Sequence, residues 1–277
     1  MLQKIIFSMI LGLLNAGIAL ATDTLNLANL SNHEGLIANI HGLGGHSDYC
    51  VNLNVLNSTG RTVYLKISPG TLLIPADSNS QNLLVVEKNG MHLAPGVRMR
   101  VKLRAFCALY YKHSPSTNEE FVATTAKPEL VTLADYINHY PASGSIQEAV
   151  WVVANGSLIS SLNRKDEELI KLVSKLSKQP IPDYTAVFVN SGSELFTNRV
   201  ARIQGEIQYT VRNEDMVSFQ IYDATGRLRK TIFDGRWVKR GTHTEDYDID
   251  VSKLKKGVYF IKIYQQNQLI SEKRFEI

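Results

Sequence analysis

Val217-Ser218-Phe219-Gln220-Ile221-Tyr222, followed by Asp223-Ala224-Thr225-Gly226, is the stretch that decides the fold of the end of the chain. Val217, Phe219 and Ile221 alternate with Ser218, Gln220 and Tyr222, the period-two pattern of a strand with one buried face. The four residues that follow make a turn, because an aspartate carboxylate bonds nearby backbone N–H groups and glycine adopts positive φ without strain. The same pattern repeats outward from this point. Residues 227–233 form the return strand, and after Gly241 another runs through Tyr247 and Ile249. Leu254-Lys255-Lys256-Gly257 then turns the chain into 258–264, and Gln266-Asn267 leads into the last strand. Short strands at this spacing predict an immunoglobulin-like β-sandwich over 205–277.

Upstream, 49–180 reads as a β-rich domain with helices, so the whole chain is mainly β, an N-terminal α+β domain followed by the sandwich. Val51, Leu53 and Val55 alternate with Asn52 and Asn54, and Val63, Leu65 and Ile67 with Tyr64 and Lys66. The turn at Asn57-Ser58-Thr59-Gly60 predicts that the two pair as a hairpin. Leu83 to Val86 reads as a short buried strand. Val97, Met99, Val101, Leu103 and Ala105 share one face of a single strand, with Arg98, Arg100, Lys102 and Arg104 on the other. From Pro128 the period becomes helical through Leu130, Leu133, Ala134 and Ile137. Further helices are predicted over 146–153 and 164–178, the last with Asn163 and Asp166 as capping residues. Segment 22–48, with Gly42, Gly44 and Gly45, is expected to be an extended lead-in, and 181–204 a linker, within which Ala186-Val187-Phe188-Val189 could add a strand.

Residues 1–21 have the layout of a cleavable secretory signal peptide: Lys4, an apolar core from Ile5 to Leu14, and the small-x-small step Ala19-Leu20-Ala21. Export through the periplasm is therefore expected. The composition, 44% hydrophobic and 20% charged over 277 residues, is that of folded domains rather than disorder. A formal charge of +4 is too small and too dispersed for a dedicated nucleic-acid binder.

The end of the chain also carries a resemblance. Ile221-Tyr222-Asp223-Ala224-Thr225-Gly226-Arg227, Gly241-Thr242-His243, the run from Val251 through Leu254 and Gly257 to Tyr259, and Lys273 are similar to the sorting domain of bacterial type IX secretion substrates. That resemblance implies recognition by a secretion translocon of the outer membrane, often followed by removal of the domain and attachment of the cargo to the cell surface. The Pro-x-Pro step by which such domains usually begin is missing over 198–205.

Candidate chemistry lies mainly in the N-terminal part. Cys50 and Cys107 are the two cysteines, and an exported chain is expected to pair them in a disulfide. Gln147-Glu148-Ala149-Val150-Trp151, downstream of Cys107, is similar to the motif of surface thioester domains. There Cys107 and Gln147 would form an internal acyl-sulfur electrophile. His33, His41, His46 and Cys50 match no zinc template, and no Lys-Ser/Thr step follows Gly42-Leu43-Gly44-Gly45 as a phosphate loop requires. Neither metal nor cofactor is expected. Arg98, Arg100, Lys102 and Arg104 form a cationic stripe suited to an anionic glycan, or else simply to solvent. The sequence thus points to an exported non-enzymatic binding protein with an unidentified surface ligand. A covalent thioester adhesin and an envelope structural component are the alternatives.

Overall fold

The computed structural model describes residues 23–142, 144–189 and 199–277. The expected signal peptide lies outside them, as does 190–198 of the expected linker. In chain order the first strands are β1 (Asp23–Asn26), β2 (Leu36–Leu43), β3 (Val51–Asn57), β4 (Val63–Ile67) and β5 (Thr71–Pro75). They continue with β6 (Leu83–Val85), β7 (Asn89–Leu93), β8 (Arg98–Leu103), β9 (Ala105–Cys107) and β10 (Thr117–Thr125). Helices α1 (Pro128–His139), α2 (Ile146–Asn155) and α3 (Glu167–Ser177) follow. The C-terminal strands are β11 (Tyr184–Phe188), β12 (Val200–Val211), β13 (Asp215–Asp223), β14 (Leu228–Val238), β15 (Gly241–Asp250), β16 (Val258–Gln265) and β17 (Gln268–Glu276). Among the described residues no helix is long and apolar enough to cross a membrane.

The first ten strands make a small sheet, β1-β4-β7, and a large one, β8-β3-β2-β10-β5-β6-β9. The two ends of the large sheet, β8 and β9, are separated in the chain by Arg104 alone. One kinked strand therefore pairs with β3 through its first half and with β6 through its second, which rolls the sheet on itself. The single strand expected over 97–105 breaks at Arg104 for this reason. Val86 N–H donates to Arg104 C=O at 3.1 Å, and Ala105 N–H donates to Asp48 C=O at 2.8 Å, both partners distant in sequence.

Leu53, Val55, Leu65, Ile67, Leu73, Leu83, Leu93 and Phe121 fill the core between the two sheets. The alternating strands β3 and β4 both contribute to it, but they do not pair as a hairpin. β3 pairs with β2 and β8, whereas β4 pairs with β1 and β7. Buried Asn57 explains the crossing between sheets: its Nδ2 donates to Arg61 C=O at 2.9 Å and Leu93 C=O at 2.8 Å, while Oδ1 accepts from Thr59 N–H at 2.9 Å. Those bonds satisfy the whole carboxamide and bend the chain toward β7. The expected lead-in is also ordered, since Leu36 and Ile40 of β2 enter the same core and Leu27 and Leu30 cap it from a 3-10 turn.

A second core lies on the opposite face of the rolled sheet. There Leu84, Val86 and Phe106 meet Leu130, Leu133 and Ile137 of α1, Ala149 and Val150 of α2, and Leu169 and Val173 of α3. Pro128 starts α1, where its missing N–H costs nothing. Asp166 holds the N-cap position of α3, and Asn163 Oδ1 instead accepts from Lys165 N–H at 3.0 Å in the preceding turn. The turn into β5 presses against α1 at Gly70, which has φ +84° and faces Val131.

The C-terminal strands form two facing sheets, β11-β12-β15 and β14-β13-β16-β17, as expected of a sandwich. Ile203, Ile207, Val217, Phe219, Ile221, Ile261, Ile263 and Phe275 fill it. Its first strand, β11, lies within the expected linker and pairs with β12 from Tyr184 opposite Gly205 to Phe188 opposite Val200.

Candidate functional site

The helices cover the outer face of the rolled sheet over β5, β6 and β9. Over β8, β3, β2 and β10 no described helix covers that face, and strand register orders its side chains into rows. Lys102, Asn52, His41 and Glu120 stand opposite one another in the first row. Arg100, Asn54 and Asn39 make the second, and Arg98, Leu56 and Ile37 the third. Ile37 is 53% exposed, and Val122 of β10, opposite Ile74 of β5, is 63% exposed, so apolar patches lie beside the polar rows.

The rows are tied together by hydrogen bonds. Asn52 is buried, with Nδ2 3.1 Å from His41 Nε2 and donating to Asn54 Oδ1 at 3.4 Å. Asn54 Oδ1 also accepts from Arg100 Nε at 2.9 Å, which holds the guanidinium beside the amide row. Two hollows meet at Asn39 and Asn54. One, of about 520 Å³, reaches His41, Asn118 and Glu120; the other, of about 430 Å³, reaches Ile37, Leu56, Arg98 and Arg100.

Three of the four cations of the predicted stripe remain on this face. Arg98, Arg100 and Lys102 lie on β8, roughly 7 Å apart from one to the next as alternate strand residues. Among the described residues none of them forms an ion pair. Arg104 leaves the stripe at the kink: Nε donates to Asp48 Oδ1 at 2.7 Å, Nη2 donates to Pro141 C=O at 3.2 Å, and the guanidinium lies over the Phe106 ring. Asn39 and Glu120 had no signal in the local sequence, and His41 stood out only among the histidines that match no zinc template. Asn52 and Asn54 showed only as outward partners of the β3 alternation.

The expected Cys50–Cys107 disulfide is not formed; both residues are buried free thiols. β3 begins at Val51, so Cys50 sits just before the strand and enters the same core as Cys107, with Sγ 3.5 Å from Ala105 C=O. Burial pushes the Cys50 thiol up to about 11 and the Cys107 thiol higher still, which keeps both protonated and poorly nucleophilic. Gln147 does meet Cys107, but at its backbone. Cys107 N–H donates to Gln147 Oε1 at 3.2 Å, and Gln147 Nε2 donates to Cys107 C=O at 2.7 Å. The carboxamide thus pairs with β9 as a neighbouring strand would, while the Cys107 side chain belongs to the core between the sheets.

In the C-terminal sandwich each sorting-motif residue is a structural fastening. Asp223 Oδ1 accepts from Thr225 N–H at 2.9 Å and Arg227 N–H at 3.0 Å, and Oδ2 accepts from Arg229 Nε at 2.7 Å. The Thr225 hydroxyl and the Arg227 N–H hold that carboxyl well below the usual range. Gly226 has φ +78° in the turn, and Gly241 has φ +142° at the start of β15. Gly257 exchanges backbone bonds of 2.9 and 3.1 Å with Ile277, which closes the end of the chain against the sheet. Leu254 packs on the core, and Tyr259 stacks on Phe275 while its hydroxyl donates to Lys255 C=O at 2.8 Å. Lys273 is largely buried, with Nζ 3.0 Å from Asp183 Oδ2.

No curated protein matches the chain. Solved structures similar to it include a beta-glucosidase from Kluyveromyces marxianus, at 9% identity and TM-score 0.20, over 82% of this chain and 44% of that one. The CBM51-2 and INT domains of ZmpB from Clostridium perfringens align at 12% identity and TM-score 0.18, over 84% of this chain and 73% of that one. Residues 201–275 match the family model of the secretion system C-terminal sorting domain. The last quarter of the chain is a type IX secretion sorting domain, which marks the protein for export to the cell surface or the surroundings.

Proposed function

We propose that the protein is an exported, non-enzymatic binding protein, brought out through an outer-membrane translocon and holding an anionic glycan across the open face of its N-terminal domain. The observation that carries this reading is the pair of joined hollows at Asn39 and Asn54, flanked by Arg98, Arg100 and Lys102 on β8. Carboxamides both donate and accept, which suits the hydroxyls of a sugar, and guanidinium forks suit a carboxylate or sulfate. Ile37, Leu56 and Val122 offer apolar ground for the C–H faces of sugar rings. Among the described residues the helices lie over the other half of the sheet, which leaves this half uncovered by them.

The test is a binding titration of the folded protein with polygalacturonate, a sulfated dextran and neutral dextran. The two anionic polymers should bind and neutral dextran should not. Removing Arg98, Arg100 and Lys102 together should weaken binding roughly threefold to a hundredfold, at about 0.2–1 kcal/mol for each exposed charge contact. Replacing the exposed Lys253, Lys255 and Lys256 of the sorting domain should leave affinity unchanged. Equal losses for the two triple variants, or no preference for the anionic polymers, would sink the proposal.

A further inference from the structure

The family match begins at residue 201, yet the sandwich begins at Tyr184. Strand β11 fills the remaining place in the β11-β12-β15 sheet from the cargo side of the match. Tyr184 and Ala186 are 6% and 3% exposed, within the sandwich core. The Tyr184 hydroxyl accepts from Glu276 N–H at 2.9 Å and lies 3.3 Å from Glu276 C=O, while its ring meets Phe275 edge-on. One residue earlier, Asp183 pairs with Lys273. Opposite Tyr184, Gly205 carries no Cβ, and the Tyr247 hydroxyl occupies the space one would need, 2.6 Å away.

β11 is also held from the other side. Leu158 of the N-terminal domain packs on the sandwich core, and Arg164 Nη1 donates to Asp183 C=O at 2.7 Å.

We infer that the edge of β12, with the slot between Gly205, Phe275 and Glu276, is a strand-binding site. Its ligand is an extended segment reading acid, tyrosine, any residue, small residue, which this chain supplies as Asp183-Tyr184-Thr185-Ala186. Main-chain ladder bonds give such a site its affinity, and alternate side chains in pockets give it selectivity. Backbone continuity between β11 and β12 is then unnecessary: β11, with Leu158 packed on the sandwich core beside it, keeps the cargo domain and the sorting domain joined when the chain between them is cut.

The experiment uses the full chain with a protease recognition sequence placed between Val189 and Arg199 and cleaved after folding. The two pieces should co-elute in size-exclusion chromatography at micromolar concentration, as should those of a Thr185→Ala chain. An Ala186→Asp chain that runs as a monomer before cleavage should separate into two species after it. Should Ala186→Asp fail to fold, Tyr184→Phe removes only the hydroxyl and its contacts with Glu276, and should speed separation of the cut pieces several-fold. Immediate separation of the unmodified pieces would overturn the inference. So would co-elution of cut Ala186→Asp, or separation of cut Tyr184→Phe at the unmodified rate.

Discussion

Replacing Gln147 with alanine should loosen the contact between α2 and the outer edge of β9 without unfolding the protein. Of the two bonds this carboxamide makes, one is backed up: Cys107 N–H also donates to His46 C=O at 2.9 Å. The other is not, so Cys107 C=O loses its 2.7 Å partner in a half-buried setting. An acceptor stranded in this way costs about 1–3 kcal/mol. Spread over a domain of this size, that lowers the melting temperature by roughly 2–4 °C per kcal/mol. Gln147→Glu should cost at least as much, because a carboxylate replaces the donor that faced the carbonyl. The two tryptophans make the assay clean, since Trp151 is buried on α2 and Trp237 lies in the sorting domain. In a Trp237→Phe background, fluorescence follows the N-terminal domain alone during denaturation. Intact mass provides the counter-test: a native chain lighter by one ammonia, restored to full mass in Gln147→Ala without loss of stability, would make Gln147 an acyl donor and refute the clasp.

Gly70→Ala should destabilise the same Trp151 signal, by roughly 1–3 kcal/mol for the left-handed backbone alone. The new Cβ would also stand 2.9 Å from Val131 Cα, so relief would require α1 to shift. Asp223 favours its charged form in the folded state, so its contribution to stability is full above the ordinary carboxylate range. It is lost as pH falls through that range toward the depressed value. The gap in melting temperature between native protein and Asp223→Asn should therefore close on acidification, and a gap that widened there would contradict the turn geometry. Cys50 and Cys107 should resist a thiol reagent in the folded protein and both react once it is unfolded, whereas a native mass lower by two hydrogens would show that they pair.

Faces were readable from sequence where partners were not. The alternation in 217–222 and 51–55 correctly assigned which residues share a face, because period two depends on the chain alone, although Asn52 on the outer face is itself buried. Nothing local distinguished a hairpin at 51–67 from a crossing between sheets, since that choice rests on Asn57 reaching Leu93. The glycines at 42–45 read as part of an extended lead-in. Gly42 is instead strand, and a Cβ there would collide with Ser116 C=O, a proximity set by a distant segment. For the same reason the cationic stripe was visible while the amide row beside it was not. Arg98, Arg100 and Lys102 share one strand, whereas Asn39 meets Asn54 only through the β2–β3 register.

Amide hydrogen exchange of the exported protein, with and without saturating polygalacturonate, tests the binding face most directly. Slowed exchange confined to β2, β3, β8 and β10 is the predicted result. Protection that instead falls on the helices or the sorting sandwich, or on no segment at all, would contradict the account.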